Sequence, residues 1–338
     1  MWSAADAAEP AVTALLPSRP VIPCGQPTGL PPGGDTSERP FLAGAPSARS
    51  GDALGIDARP GTDLLAIGHV ARDEFPDGTW RLGGSAFYAA AAAARLGLAV
   101  SLVTRVGPRE REDLERACAD LGIEVHALPS VTTTTFALRW DENGRRILRL
   151  RARARGISAA DLPVGAPAAR ATLFGSIAHE LAADLMAGGP GVRVLAAQGH
   201  LRAWDADGTV RPAAWPEALS RIAGMTAVVL SEEDAADPER LASEWSRYAP
   251  VVVTLADRGA RLYEDGRTAL VPAFPPARVV DPTGAGDAFA AGLTVALAEG
   301  GDLVAAVRFG NAVASFCVEG RGTDGLATRQ EIDRRLGH

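Results

Sequence analysis

A chain of 338 residues with 47% hydrophobic content is long enough for one large α/β domain or two ordinary ones. Its formal net charge of −7 excludes a general nucleic-acid binder, because neutralising a phosphate backbone needs a basic surface. All 34 basic residues are Arg, and without Lys a Walker P-loop, the strand Lys of protein kinases and Schiff-base catalysis are excluded too.

Residues 1–60 are rich in Ala, Pro, Gly and Ser and read as a disordered tail without the basic start and apolar core of a secretory signal. No run approaches the roughly 20 apolar residues of a membrane helix. Cys24, Cys118 and Cys317 are widely spaced and suggest neither a disulfide framework nor a zinc site, so a reducing cytoplasm is the expected compartment.

Residues 61–338 read as one domain. Apolar extended runs at Asp63 to Gly68, Val100 to Arg105, Ala171 to Ile177, Val192 to Ala197, Ala227 to Leu230 and Pro250 to Leu255 alternate with helical stretches. The helices are expected at Gly84 to Leu96, Glu110 to Leu121, Glu180 to Ala187, Pro216 to Ala223 and Pro238 to Tyr248. Such alternation predicts a doubly wound, mostly parallel sheet with helices on both faces. Two antiparallel segments, Thr135 to Trp140 and Arg145 to Arg153, interrupt it around the turn Asp141-Glu142-Asn143-Gly144, and a second hairpin is expected at Ala260 to Val271, turning at Asp265-Gly266.

The richest chemistry lies at residues 281–292, Asp-Pro-Thr-Gly-Ala-Gly-Asp-Ala-Phe-Ala-Ala-Gly, after the apolar run Ala277 to Val280. Here the amides of Gly284, Ala285 and Gly286 open an Ala-rich helix and make an anion site, with the Asp287 carboxylate beside it. That pairing suits phosphoryl transfer: amides stabilise the moving phosphoryl group while the carboxylate takes a proton from the attacking hydroxyl. Ordinary capping is the alternative reading of the same residues.

This segment resembles the second signature of the PfkB carbohydrate-kinase family. Leu82-Gly83-Gly84-Ser85 and the following Ala-rich helix to Leu96-Gly97 are similar to the first. The resemblance implies a ribokinase-like α/β fold with a small β lid, part of it near 135–153, over the substrate site. It implies Mg·ATP as donor, Asp287 as general base and Gly284, Ala285 and Gly286 as the anion hole. Asp73, Gly83 and Gly84 fall where the family contacts substrate hydroxyls, and Tyr88 stands near an expected Asn as a stacking or core residue. Of the arginine-rich strand, with Arg149, Arg151, Arg153 and Arg155 on one face, Arg151 is the candidate for reaching the pocket; a charged edge strand explains the run as well.

Ser231-Glu232-Glu233-Asp234 resembles the family's magnesium-organising Asn-x-x-Glu, so Asp234 or Glu233 is expected to hold Mg²⁺ through water. Thr254 and Gly259 match the nucleotide-side loop, although Ala256 replaces its first Gly. Asn311, Phe316 and Gly322 fall where the family borders adenine. Asp281 and Thr283 are candidates for a monovalent cation, K⁺. The expected partner is a small molecule, with no nucleic acid or membrane; because only 14 residues, His69 to Leu82, separate the first strand from the Gly-Gly, a homodimer formed through the lid is the weaker expectation. A sugar or sugar-like acceptor leads, with a nucleoside kinase and a non-catalytic sugar or nucleotide sensor as alternatives.

Overall fold

Apolar runs that alternate with small-residue helices fold here into one large twisted sheet. A computed structural model describes residues 61–142, 146–163 and 169–337. The tail assigned to residues 1–60 and the turn residues Asn143 and Gly144 lie outside the described residues. In chain order run β1 (Leu64–Ile67), β2 (Ala71–Glu74), β3 (Trp80–Gly83), α1 (Ser85–Arg95), β4 (Val100–Val106), α2 (Arg111–Asp120), β5 (Glu124–Pro129), β6 (Thr134–Trp140) and β7 (Arg146–Ala152). They are followed by β8 (Ala171–Gly175), β9 (Val192–Ala196), β10 (Arg202–Trp204), β11 (Val210–Pro212), α3 (Ala218–Ile222), β12 (Ala227–Ser231), α4 (Pro238–Trp245) and β13 (Val251–Thr254). The hairpin β14 (Ala260–Glu264) and β15 (Arg267–Val271) precedes α5 (Ala285–Ala298), α6 (Leu303–Cys317) and α7 (Arg329–Leu336).

The nine-stranded sheet has the order β15-β14-β13-β12-β9-β8-β1-β4-β5. Its pairs are parallel except β13 with β14 and β14 with β15. Parallel strands covered on both faces must be apolar throughout, and β1 shows it: Leu64 and Ala66 enter one core while Leu65 and Ile67 enter the other. The first core joins α1, α2, α5 and α6; the second joins α3 and α4 with Trp245, Leu195 and Val228.

A second sheet, ordered β3-β2-β6-β7, stands apart from the first. The β6–β7 pair lies where the sequence placed antiparallel segments, and the 14-residue interval His69 to Leu82 supplies β2 and most of β3. Asp77 closes their turn by accepting from the amide and hydroxyl of Thr79, and β2 pairs in parallel with β6, Asp73 opposite Phe136. The β10–β11 hairpin is a separate two-stranded sheet that meets β7, its Gly208 carbonyl accepting from the Leu150 amide at 2.8 Å.

Two local expectations need correction. Glu180 to Ala187 is not an α-helix; a short 3-10 turn covers only Ala183–Met186. The reason is Glu180, whose carboxylate accepts the amides of Ile177 and Ala178 and so fixes an irregular turn. The run Ala277 to Val280 is not buried strand: Val279 is 70% exposed and the Val280 amide donates to the Val318 carbonyl.

Candidate active site

In an open parallel sheet, ligand crevices form beyond the carboxyl ends of the strands. Here β1, β8, β9 and β12 end together beneath the N-termini of α1 and α5, and polar side chains gather there. Asp73 stands on β2 just past β1, Ser85 opens α1, Gln198 and Arg202 follow β9, Asp234 follows β12, and Asp287 lies in the first turn of α5.

The turn into α5 is built around Gly284, which has φ 84° in the left-handed region. A Cβ there would lie 2.6 Å from Cδ1 of Tyr88. Glycine is therefore required for both conformation and space. Among the described residues the amides of Gly284, Gly286 and Asp287 have no partner, whereas that of Ala285, expected to be free, donates to the Pro282 carbonyl at 3.2 Å. The Cys317 thiol, pushed up to about 12 by burial, stays protonated and donates to the Thr283 carbonyl. Gly284→Ala is expected to lower stability by about 1–3 kcal/mol through backbone strain and to open the amide cluster. Thermal denaturation, with nucleotide affinity measured in parallel, reads both effects.

The carboxylates are electrostatically linked. Burial pushes Asp287 up to about 6; Ser85, Arg202 and Arg146 oppose the shift and Asp234 adds to it. Burial also pushes Asp73 up to about 6, against Arg146 and Arg202 and with Asp287. Asp234 is likewise raised by burial, while its Oδ2 accepts from the Ser231 amide at 2.8 Å. Arg202 sits among these groups, donating to Gln198 Oε1 at 2.7 Å and to the Ile177 carbonyl at 3.1 Å, its guanidinium 5.7 Å from the centre of the Phe136 ring.

Other candidates fall differently. Gly83 gives its space to Asp73, whose Oδ2 would lie 2.1 Å from a Cβ at that position, and Gly84 is pressed against the His69 carbonyl. Tyr88 is buried beneath Gly284 and supports the turn. Arg151 is exposed and lines a cavity of about 360 Å³ with Arg153, Trp204 and Asp207, away from the carboxylates. Its neighbour Arg146 is the strand arginine whose charge reaches Asp73, Asp234 and Asp287. The parity of β7 explains this: Leu148 and Leu150 pack inward, so Arg146 shares their face and Arg149 and Arg151 take the other.

Glu233 is exposed, leaving Asp234 as the carboxylate inside the site. The Asp281 carboxylate is already engaged, Oδ1 by the Thr283 amide at 3.0 Å and Oδ2 by Arg81 at 2.9 Å; burial opposes its charge, but these partners hold it below the usual range. Thr254 donates its hydroxyl to the Leu230 carbonyl, and Gly259, at φ 97°, abuts the Val271 carbonyl. Ala256 keeps φ 52°, the left-handed geometry natural to glycine, despite its Cβ. Asn311 donates to the carbonyls of Val271 and Pro272, Phe316 lies beneath the Arg335 guanidinium at 3.2 Å, and Gly322 holds a turn at φ 59°. His69 is buried and structural, hydrogen-bonded to the Arg155 carbonyl and to Thr134.

Sequence reasoning missed Gln198 and Arg202. The available signal was position: Gln198-Gly-His-Leu-Arg202 follows the end of a buried strand, where the other candidates also stand.

Solved structures of ribokinase-family kinases share this fold. A pyrophosphate-dependent kinase of that family, in a sulfate complex, matches with a TM-score of 0.67 at 19% identity over 80% of this chain and 99% of that one. The nucleoside kinase of Methanocaldococcus jannaschii matches with a TM-score of 0.59 at 18% identity over 82% and 99%. The family described as pfkB family carbohydrate kinase matches residues 56–329, and the chain belongs to it. The nucleoside kinase of Methanothermobacter thermautotrophicus is 29% identical over 295 residues, 77% of this chain and 91% of that protein. The uncharacterized sugar kinase YegV of Escherichia coli is 41% identical over 100 residues, 29% of this chain and 31% of that protein. The ribokinase of Bacillus subtilis is 43% identical over 89 residues, 26% and 30%, so these two matches span less than a third of either relative.

Proposed function

We propose that this chain is a small-molecule kinase that transfers the γ-phosphoryl group of Mg·ATP to a hydroxyl of a sugar or sugar-like acceptor, with Asp287 as general base. One observation carries the reading: Asp287 stands in the first turn of α5, next to unpartnered amides at a left-handed Gly284. Those amides receive the negative charge of the phosphoryl group in flight. Asp287 takes the acceptor proton, and Asp73 grips acceptor hydroxyls by accepting from them.

Among the described residues no group of three or more His, Cys, Asp or Glu side chains could hold a metal by protein ligands alone. Asp234 fits Mg²⁺ held through water, because its buried carboxylate gains from a cation and this ion needs only one or two carboxylates besides phosphate and water. Bound with the nucleotide, Mg²⁺ supplies charge neutralisation across the transferred phosphates. The charge that a monovalent cation would bring to Asp281 and Thr283 is already supplied by Arg81, and the reading includes no such cation.

The second reading is a nucleoside acceptor. Two relatives aligned over more than nine-tenths of their own length, from Methanothermobacter thermautotrophicus and Thermococcus kodakarensis, are a nucleoside kinase and a cytidine kinase. ADP release with pentoses, hexoses, inositols, sugar phosphates and nucleosides separates the two acceptor classes. Because Asn311 and Phe316 are already engaged within the protein, pyrophosphate is run beside ATP as donor with phosphate release as its readout. ATP binding with no turnover for any acceptor would replace both readings with a sensor.

The pH dependence follows from the raised carboxyls. Protonated Asp287 cannot take a proton, so kcat is expected to fall as pH drops through about 6. The kcat/KM profile should fall more steeply, because Asp73 loses its charge over the same interval. A steady-state profile showing a flat kcat down to the ordinary carboxylate range would contradict this assignment.

A further inference from the structure

We infer that Ser85 and Gln198 are positioning residues for Asp287, the last links of a directed hydrogen-bond chain that starts at Arg202. The inference rests on the reading of Asp287 as the base. Arg202 Nη2 donates to Gln198 Oε1 at 2.7 Å, and Gln198 Nε2 donates to Ser85 Oγ at 2.7 Å and more weakly to Asp287 Oδ1 at 3.4 Å. The Ser85 hydroxyl lies beside Asp287 and favours its ionised form.

The direction of every link is set at its first member. A guanidinium has only donors, so the atom of the Gln198 amide facing Arg202 must be the oxygen, which turns the amide nitrogen toward Ser85. Ser85 then accepts from that nitrogen, leaving its own single proton for Asp287. The chain therefore delivers donors to one side of the carboxylate and leaves the rest of it for the acceptor hydroxyl. It does not relay the proton: passing it back would require the Gln198 amide nitrogen to accept, and that atom has no available lone pair. In the transfer step the acceptor O–H bond breaks, its proton goes to Asp287, and the new O–P bond forms as the bond to the leaving phosphate breaks.

The supports are rigid. Ser85 is buried, and close backbone approach fixes both elements that carry the chain: a Cβ at Gly175 would lie 2.6 Å from the Ala86 amide, and one at Gly199 would lie 2.4 Å from Ser176 Oγ. The charged and titratable groups around Asp287 are Arg202 and Arg146, which favour its ionised form, Asp234 and Asp73, which oppose it, and the protonated Tyr88 and Cys317.

The test is a carbon-13 NMR titration of side-chain carboxyls in Asp-labelled full-length protein, with the Asp287 signal identified by its loss in Asp287→Asn. Ser85→Ala is expected to move the Asp287 midpoint upward by about one pH unit, the scale of a lost hydrogen bond to a charged group. Gln198→Ala should move it in the same direction and by less. If Ser85→Ala does not fold, Gln198→Ala and Ser85→Cys carry the test, with the weaker thiol donor giving an upward shift. An unchanged Asp287 midpoint in folded variants would overturn the inference, whatever their turnover. Full turnover by Asp287→Asn would instead remove the base reading, even with the shifted midpoints observed.

Discussion

Asp287→Asn is expected to lower kcat by about 10² to 10⁴, the scale of losing a general base, while leaving nucleotide affinity largely intact. The amide of Asn is close in shape to the carboxylate and can keep a hydrogen bond from Ser85 or Gln198. It lacks the basicity to take the acceptor proton. The neighbouring amides of Gly284 and Gly286 belong to the backbone and are untouched, so the phosphates should still bind. Steady-state turnover with nucleotide binding measured by calorimetry separates the two effects. A parallel loss of affinity would mean that the substitution had disturbed the turn into α5.

The largest effect on stability is expected at Glu180, which takes no part in the proposed chemistry. Its carboxylate is buried, with 1% exposure, and accepts from the amides of His69, Ile177 and Ala178 and from the Ser176 hydroxyl at 2.8 to 3.1 Å. It joins the residue after β1 to the turn after β8, the two strand ends that underlie the site. Burial opposes its charge, but His69 and the ring of amide donors outweigh burial and hold the carboxyl below the usual range. Its contribution is therefore present above the unfolded value and lost as pH falls through the lower folded one. Glu180→Ala leaves three buried amides and a hydroxyl unpaired and is expected to cost roughly 3–5 kcal/mol, a large part of the stability of an ordinary domain. Urea denaturation followed by tryptophan fluorescence measures it, and Glu180→Gln should recover part of the loss. A cost below about 1 kcal/mol for Glu180→Ala would mean that the amides find other partners.

The expectations that matched the structure rest on local chemistry. Asp281 to Asp287 could be read because a Gly-rich turn opening a helix exposes amides wherever it occurs, and the apolar runs could be read because both faces of a parallel strand are buried. What was hidden depends on distance along the chain. β2 is held by parallel pairing with β6 some 60 residues away, and nothing within Ala71 to Glu74 announces it. Gln198 meets Asp287 across 89 residues, and the contact exists only because β9 ends beside α5. Arg146 is an intermediate case. The alternation of Leu148 and Leu150 with Arg149 and Arg151 already assigned the faces of β7, and following the leucines would have preferred Arg146 over Arg151. Glu180 misled for another reason: an acidic residue before an Ala-rich run suggests a helix start, whereas here its carboxylate is consumed by backbone amides upstream.

The central claim is that Asp287 takes the acceptor proton during phosphoryl transfer. Single-turnover rapid-quench measurement of the transfer step, on the acceptor found by ADP release, tests it most directly when run across pH with wild type and Asp287→Asn side by side. The account predicts a wild-type rate that falls as pH drops through about 6 and a slow, pH-independent rate in the variant. A variant that keeps both the wild-type rate and its acid limb would contradict it.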